Sequence, residues 1–407
     1  MAEGRGDDDR IRTRDELVDH LRFAAQLEHG LALQYLFAAF SLKSSPLEGG
    51  LSPAQLNTVR RWKAIVFRVA SQEMLHLCQV VNLTIAVGGE VDFWLPNFPQ
   101  QSNYTPMYLP WELSRYSDAT LGRFCSYEQP QQVLDAFRVL GFINPVWLIQ
   151  RTIGQLYGAI ETAFRELDVL ERPAPKAVQA TGELVDFPQL KVVRSTQDAC
   201  DAIDLIVRQG EAMRESADSH FETFSLLLED YRREVAAAGR DSRPFDPVRG
   251  VANNPCSEAP SVPTPGLTII TDPYTRDVQR LNSAVYSVMM LMLSRFFSAD
   301  EPLARRRAFS AAFLRLMTAV LVPLGEALAR LPVGGDDPAA TAGPSFELHP
   351  EIAAGPVGRE GVPVFRERLE QAAREALELG RSPGAPLEIG HAAASLAAIV
   401  KDLEVAS

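Results

Sequence analysis

Six side chains in this sequence have the types to do metal chemistry, and five of them have the spacing. Glu28 interrupts an apolar helical stripe made by Leu21, Ala24, Ala25, Leu31 and Tyr35. Glu73 and His76 interrupt a second stripe of Val66, Val69, Leu77 and Val80. Three residues apart, they lie about 60° around a helix from each other and project to one side. Glu161 falls among Gly154, Tyr157 and Phe164, and His220 precedes Phe224 and Leu227 at four and seven residues. An unpaired buried carboxylate costs several kcal/mol or takes up a proton, and several converging on one axis repel one another. Metal cations remove that penalty. Carboxylates mixed with imidazoles suit iron or manganese with positions left open for oxygen. One Glu on each of two helices, plus Glu-x-x-His on two others, is the di-metal bundle pattern. The fourth helix departs from it, since position 217 is Ala217. Glu211 and Glu215 are the nearest upstream carboxylates, and Glu211 reaches the site only if the helix breaks near Gly210.

A lone Glu-x-x-His is common in helices and says little; several such residues in register say more. On this reading Glu28 and His76 hold one metal, His220 with an upstream carboxylate, Glu211 or Glu215, holds the other, and Glu73 and Glu161 bridge. The expected cofactor is two Fe per chain, with Mn or Cu as alternatives. His29, about 100° from Glu28, reads as a neighbouring group at the surface or behind the ligands. His20, His349 and His391 read as ordinary, and the run Val288 to Leu293 as core packing by methionine.

The elements that must position these groups are helices. Apolar residues recur at helical spacing over most of the chain. The spacing predicts helices over about Arg14–Leu42, with Thr13 as N-cap and Glu16 three residues later, and over about Pro53–Val87, ending at Gly88-Gly89. A third follows Asn144-Pro145 to about Leu170, and a fourth spans about Thr196–Ala238. Between the second and third lies an irregular crossover, Glu90 to Asn144, rich in proline and aromatics. Its Trp94, Phe98, Tyr104, Tyr108 and Trp111 are the expected wall or lid of a substrate pocket. The expected fold is all-α, a ferritin-like four-helix bundle with a long crossover between helices 2 and 3 and additional C-terminal helices packed on it. Its expected parts are a bundle over 11–238, a proline-rich connector over 239–274 and a helical extension over 275–407.

Composition narrows the function. The 407 residues carry 40 Lys and Arg against 52 Asp and Glu, a net charge of −12. Such a chain repels phosphate backbones and anionic lipid, so neither nucleic acid nor membrane is an expected partner. The hydrophobic fraction of 46% and charged fraction of 23% are those of a globular protein. The N-terminal residues hold no apolar run of signal-peptide type, and Cys78, Cys125, Cys200 and Cys256 show no disulfide spacing. A reduced, cytoplasmic setting is the expectation.

The segments carrying these residues resemble a known family. They are LRFAAQLEHGLALQYLFAAFSLK, VASQEMLHLCQVVNLTIAVGGEVDF followed by PNFPQ, IGQLYGAIETAF, IVRQGEAMRESADSHFETF, NPCSEAP with TIITDPYTRDVQRLNSAVYSVMMLML, and AGPSFEL at Ala342 to Leu348. Together they are similar to the ferritin-like family that includes the iminophenyl-pyruvate dimer synthase region of bisindole biosynthesis, of violacein and rebeccamycin type. The resemblance runs from about Ile11 to Leu348. It implies that a variable insertion separates the QGE and SHF elements, which makes Glu211 and His220 partners across an interrupted helix. Where the family usually has two acidic residues before the second-helix histidine, this chain has Gln72 and then Glu73. The activity implied is a biosynthetic oxidation by a di-iron oxidase or oxygenase, using dioxygen on a small, amino-acid-derived substrate. An iron-handling ferroxidase or storage subunit is the second reading, and a metal-free scaffold the third; a homo-oligomer stays open.

Overall fold

The structure, a computed structural model, describes residues 10–100, 111–130, 152–170, 176–211, 219–241, 244–348 and 361–405. The first helix, α1 (Arg14–Ser41), starts where the Thr13 side chain accepts from the Glu16 backbone N–H at 3.1 Å. From Leu31 to Ser41 nearly every residue is buried, as expected of a helix apolar on all sides and enclosed by neighbours. Its partner α2 (Pro53–Ala86) begins with a full capping box between Ser52 and Gln55 and Pro53 in the first turn. It ends at Val87 and Gly88, the latter at φ 69°. Arg14 donates to the carbonyls of both these residues, so the start of α1 caps the end of α2 and fixes the pair antiparallel.

The crossover contains α3 (Asp118–Tyr127), capped by Ser117. The third bundle helix, α4 (Ile153–Glu166), starts at a Thr152–Gln155 capping box. Its expected start near Asn144-Pro145 lies outside the described residues. A one-turn helix, α5 (Gly182–Val185), sits in the following loop. Two buried amides of α2 hold that loop: Asn82 bonds the Ala180 backbone and Lys191 carbonyl, and Gln79 bonds both backbone groups of Lys191. The predicted fourth helix is two, α6 (Thr196–Glu211) and α7 (His220–Asp241). Ser219 restarts the helix, its hydroxyl accepting from the Glu222 backbone N–H at 3.2 Å.

The connector carries two residue-long parallel pairings, β1 (Pro255–Cys256) with β2 (Thr268–Ile269). It is tied to the bundle by Arg249, which is buried and bonded to Glu48, Glu326, Ser44 and the Phe40 carbonyl. Beyond it come α8 (Pro273–Phe296) and α9 (Leu303–Leu316), a π turn at Met317–Leu321, α10 (Val322–Leu328), α11 (Gly361–Gly380) and α12 (Leu387–Val405). The π turn divides a helix that periodicity predicts as continuous over Leu303 to Leu331. It widens the backbone just ahead of Pro323, whose ring would meet the carbonyl four residues earlier in a regular helix. Leu303–Leu328 is the one helix among the described residues long and apolar enough to cross a membrane, and half of that stretch is buried within the fold. The bundle and the C-terminal helices share one continuous apolar core.

Candidate metal centre

Three helices and the residue ending a fourth bring charged groups to one buried point. Glu28 comes from α1, Glu73 and His76 from α2, and His220 is the first residue of α7. Glu128, immediately after α3, completes the cluster. Each of the five is at most 2% exposed. Glu73 stands at the centre: one oxygen lies 2.9 Å from His76 Nδ1 and the other 2.9 Å from His220 Nδ1. Glu28 flanks the first imidazole at 3.4 Å, and Glu128 flanks the second at 3.7 Å. The arrangement is two half-sites, Glu28 with His76 and Glu128 with His220, sharing Glu73.

Neutral groups orient the ligands. The Tyr157 hydroxyl of α4 donates to Glu28, and the Tyr35 hydroxyl of α1 donates to Glu128 at 2.5 Å. His76 Nε2 lies 2.8 Å from the Gln209 side-chain oxygen on α6. Since an amide oxygen only accepts, this contact places the proton on Nε2 and leaves Nδ1 facing the carboxylates.

The electrostatics show how much the cluster depends on charge compensation. Burial pushes Glu28 up to about 8, the Glu73 charge adding to it and His76 opposing. Burial likewise raises Glu128. Burial alone would raise Glu73 too, but His220 and His76 hold it well below the usual carboxylate range. The imidazoles answer in kind: burial would lower them, yet Glu73 with Glu128 lifts His220 to about 9, and Glu28 with Glu73 lifts His76 well above its ordinary value. Even so, Glu73 Oε1 and both ring nitrogens of His220 are buried without a well-formed hydrogen bond. Ligand atoms of Glu73, His76 and His220 fall within 4.8 Å of one another. Donor atoms clustered this closely, with buried polar atoms among them left unsatisfied, fit a cation, and the O/N donor set fits iron or manganese.

Glu28, Glu73, His76 and His220 are therefore brought together as their spacing predicts. Glu161 is not. Its side chain is 34% exposed and pairs with Arg165 one turn on. The buried arc of α4 is Ile153, Leu156, Tyr157, Ile160, Ala163 and Phe164, and position 161 lies at the rim of that arc. The inward polar group of α4 is Tyr157 instead. The backbone of Glu211 ends α6, while its side chain lies outside the described residues. Sequence reading missed Glu128, which sits in the irregular crossover where no periodicity marks an inward face. It also passed over Tyr35 and Tyr157 as plain stripe residues and Gln209 altogether. The restart at His220 was missed as well, although Ser219 and Glu222 form the S-x-x-E signature of a helix start that could have marked it.

Among the expected pocket aromatics, Trp94 is 42% exposed and Phe98 is buried in the core. Tyr104 and Tyr108 lie outside the described residues. Trp111 is packed against Gly30 of α1 and the ring of Tyr127, as a wedge that closes the bundle. His29 is buried rather than peripheral: its Nε2 is 2.7 Å from the Tyr286 hydroxyl of α8, and burial lowers its pKa to about 4. All four cysteines are free.

Long helices that deliver carboxylates and imidazoles to a shared interior define a helical bundle with a candidate metal site. The Ferritin-like family model matches residues 21–229, just over half of the sequence, and the chain belongs to that family. Two curated relatives are biosynthetic enzymes. Dichlorochromopyrrolate synthase of Lentzea aerocolonigenes is 27% identical over 89% of this chain. The 2-imino-3-(indol-3-yl)propanoate dimerase of Chromobacterium violaceum is 28% identical over 93% of it. The chain spans 39% of the length of each. A solved ferritin-like protein from Caulobacter vibrioides is 18% identical, with a TM-score of 0.46 over 74% of this chain and 96% of its own.

Proposed function

We propose that this chain is a non-haem di-metal oxidase or oxygenase, with iron at both positions, that uses dioxygen on a small amino-acid-derived acid in a biosynthetic pathway. The observation that carries the reading is the shared position of Glu73, with an oxygen 2.9 Å from each of two imidazoles and a further carboxylate beside each. Glu28 and His76 would hold one metal, Glu128 and His220 the other, and Glu73 would span both. A bound iron pair supplies open coordination positions for dioxygen and the electrons that reduce it.

The remaining work falls to the chain's own groups. Gln209 fixes the tautomer of His76, and Tyr157 and Tyr35 fix the orientation of Glu28 and Glu128. Tyr35, Phe124 and Phe224 pack ring to ring at 4.6 to 5.1 Å beside His220 and exclude water from that side. The name of the Chromobacterium violaceum relative, which carries an indolyl imino acid, supports an aromatic imino acid as the substrate class; oxidation is read from the carboxylate and imidazole donor set.

Iron analysis tests the reading. After anaerobic Fe(II) loading and desalting, the parent protein is expected to retain near two iron per chain, and a Glu73→Ala, His76→Ala variant far less. The loaded parent should also consume dioxygen faster than the variant when the imine of an aromatic amino acid is supplied. Equal, substoichiometric iron in both proteins would remove the basis of the proposal.

A further inference from the structure

A second site lies away from the Glu/His cluster. A cavity of about 1090 Å³ opens where the end of α2, the 177–194 loop and α9 meet. Its nearest α2 residue, Ile85, is nine residues past His76, roughly 14 Å along the helix. Much of its wall is apolar, including Ile85, Leu170, Val193 and Leu314. Three arginines also line it: Arg194, Arg306 and Arg307.

Arg306 is the informative one. It is only 6% exposed, yet among the described residues it makes no ion pair with a carboxylate. Its Nε donates to the Phe296 carbonyl at 2.8 Å and Nη2 to the Gln179 and Val178 carbonyls at 3.0 and 3.4 Å. The guanidinium lies over the Phe296 ring, 4.8 Å from its centroid. Nη1 has no hydrogen-bond partner among the described residues. A guanidinium largely withdrawn from solvent is ordinarily matched by a carboxylate, because an uncompensated charge shielded from water is costly. Here three backbone carbonyls and a ring fix its plane while its charge stays unmatched, and burial lowers its pKa accordingly. Arg194 and Arg307 add two further cations at exposed positions on the wall. Glu183 and Asp186, which also line the cavity, form no ion pair with any of the three among the described residues. In a chain of net charge −12 this concentration of unmatched cations is local.

We propose that this cavity binds a small organic carboxylate with an aromatic or branched aliphatic body, its carboxylate on Arg306 and the rim arginines and its body against the apolar wall. A preset guanidinium suits the two oxygens of a carboxylate, and a mostly apolar concavity with a few convergent polar groups is the form of a small-molecule site. The site is independent of the metal reading.

Calorimetric titration of the full chain with phenylacetate, phenylacetamide and inorganic phosphate tests it. Phenylacetate is expected to bind at one site per chain, about tenfold or more tighter than the uncharged amide, the loss of one charge-assisted contact. It should also bind tighter than phosphate, which has no apolar body. Arg306→Gln and the exposed pair Arg194→Ala, Arg307→Ala should each weaken the acid and not the amide. Ala311→Trp, at an exposed position on the wall, should block both. Affinity should be the same in chelator-treated and iron-loaded protein. No binding of phenylacetate, equal affinity for acid and amide, phosphate binding as tightly as the acid, or affinity that changes with iron would each overturn the proposal.

Discussion

Glu128 and Glu161 offer the sharpest test of how the centre is built, because the sequence pattern favours one and the tertiary structure the other. Glu128 is 2% exposed, receives the Tyr35 hydroxyl and has an oxygen 3.7 Å from His220 Nδ1. Converting it to Gln keeps the volume and removes the charge. Loss of even an orienting partner of a metal ligand weakens binding about 10- to 100-fold, roughly 1.4 to 2.8 kcal/mol, and Glu128→Gln should fall at or beyond that range. Glu161 is 34% exposed and engaged with the Cys200 thiol and with Arg165 at i,i+4, the latter a surface pair worth about 0.3–0.5 kcal/mol. Glu161→Gln should leave metal affinity unchanged. The assay is an anaerobic Fe(II) titration of both variants against a competing chelator, with a melt of the metal-free proteins to separate a folding defect from lost affinity. If Glu161→Gln empties the site while Glu128→Gln keeps it, the two half-sites described above are wrong.

Three other outcomes follow from packing and charge. A Cβ at Gly30 would stand 2.6 Å from Trp111 Cζ2, so Gly30→Ala must push that indole aside; a loss of about 1–3 kcal/mol is expected in urea unfolding. Arg249→Ala would leave Glu48 with only the Ser44 and Ser45 backbone N–H groups, while Glu326 keeps Lys63, so a loss toward the low end of the buried-pair range, about 3 kcal/mol, is expected by the same measurement. Burial alone would raise Glu48, but Arg249 holds it at about 2 against an ordinary 4.5. Its folded-state pKa is thus depressed, so its contribution is present above about pH 4.5 and is lost as the pH falls toward 2. The Arg249→Ala variant should show a shallower loss of stability over that window. Burial pushes the Cys78 thiol up to about 12, so at pH 8 a thiol–disulfide reagent should modify it only as fast as the chain opens, with urea accelerating the reaction.

Local physics carried much of this protein. Capping residues and helical periodicity define α1 and α2 to within a residue or two, and the interruption of their apolar stripes marks Glu28, Glu73 and His76 as inward-facing. A carboxylate on such a stripe is legible because its neighbours at three and four residues say which way the face points. The same logic turns His220 inward, but periodicity runs one helix through it, and only the capping pair Ser219 and Glu222 carries a local sign of the restart.

What the sequence left to the tertiary structure lies where that logic has no purchase. Glu128 follows a short helix inside the irregular crossover, so no repeating face directs it inward; only the docking of α3 on α7 brings it beside His220. Glu161 sits at the rim of the buried arc of α4, and a helix turned about its axis by a fraction of its 100° step exchanges an inward carboxylate for the hydroxyl of Tyr157. Periodicity fixes a stripe to within one residue's angle. The final rotation is set by the packing of α4 against α1 and α6, which the local sequence does not contain.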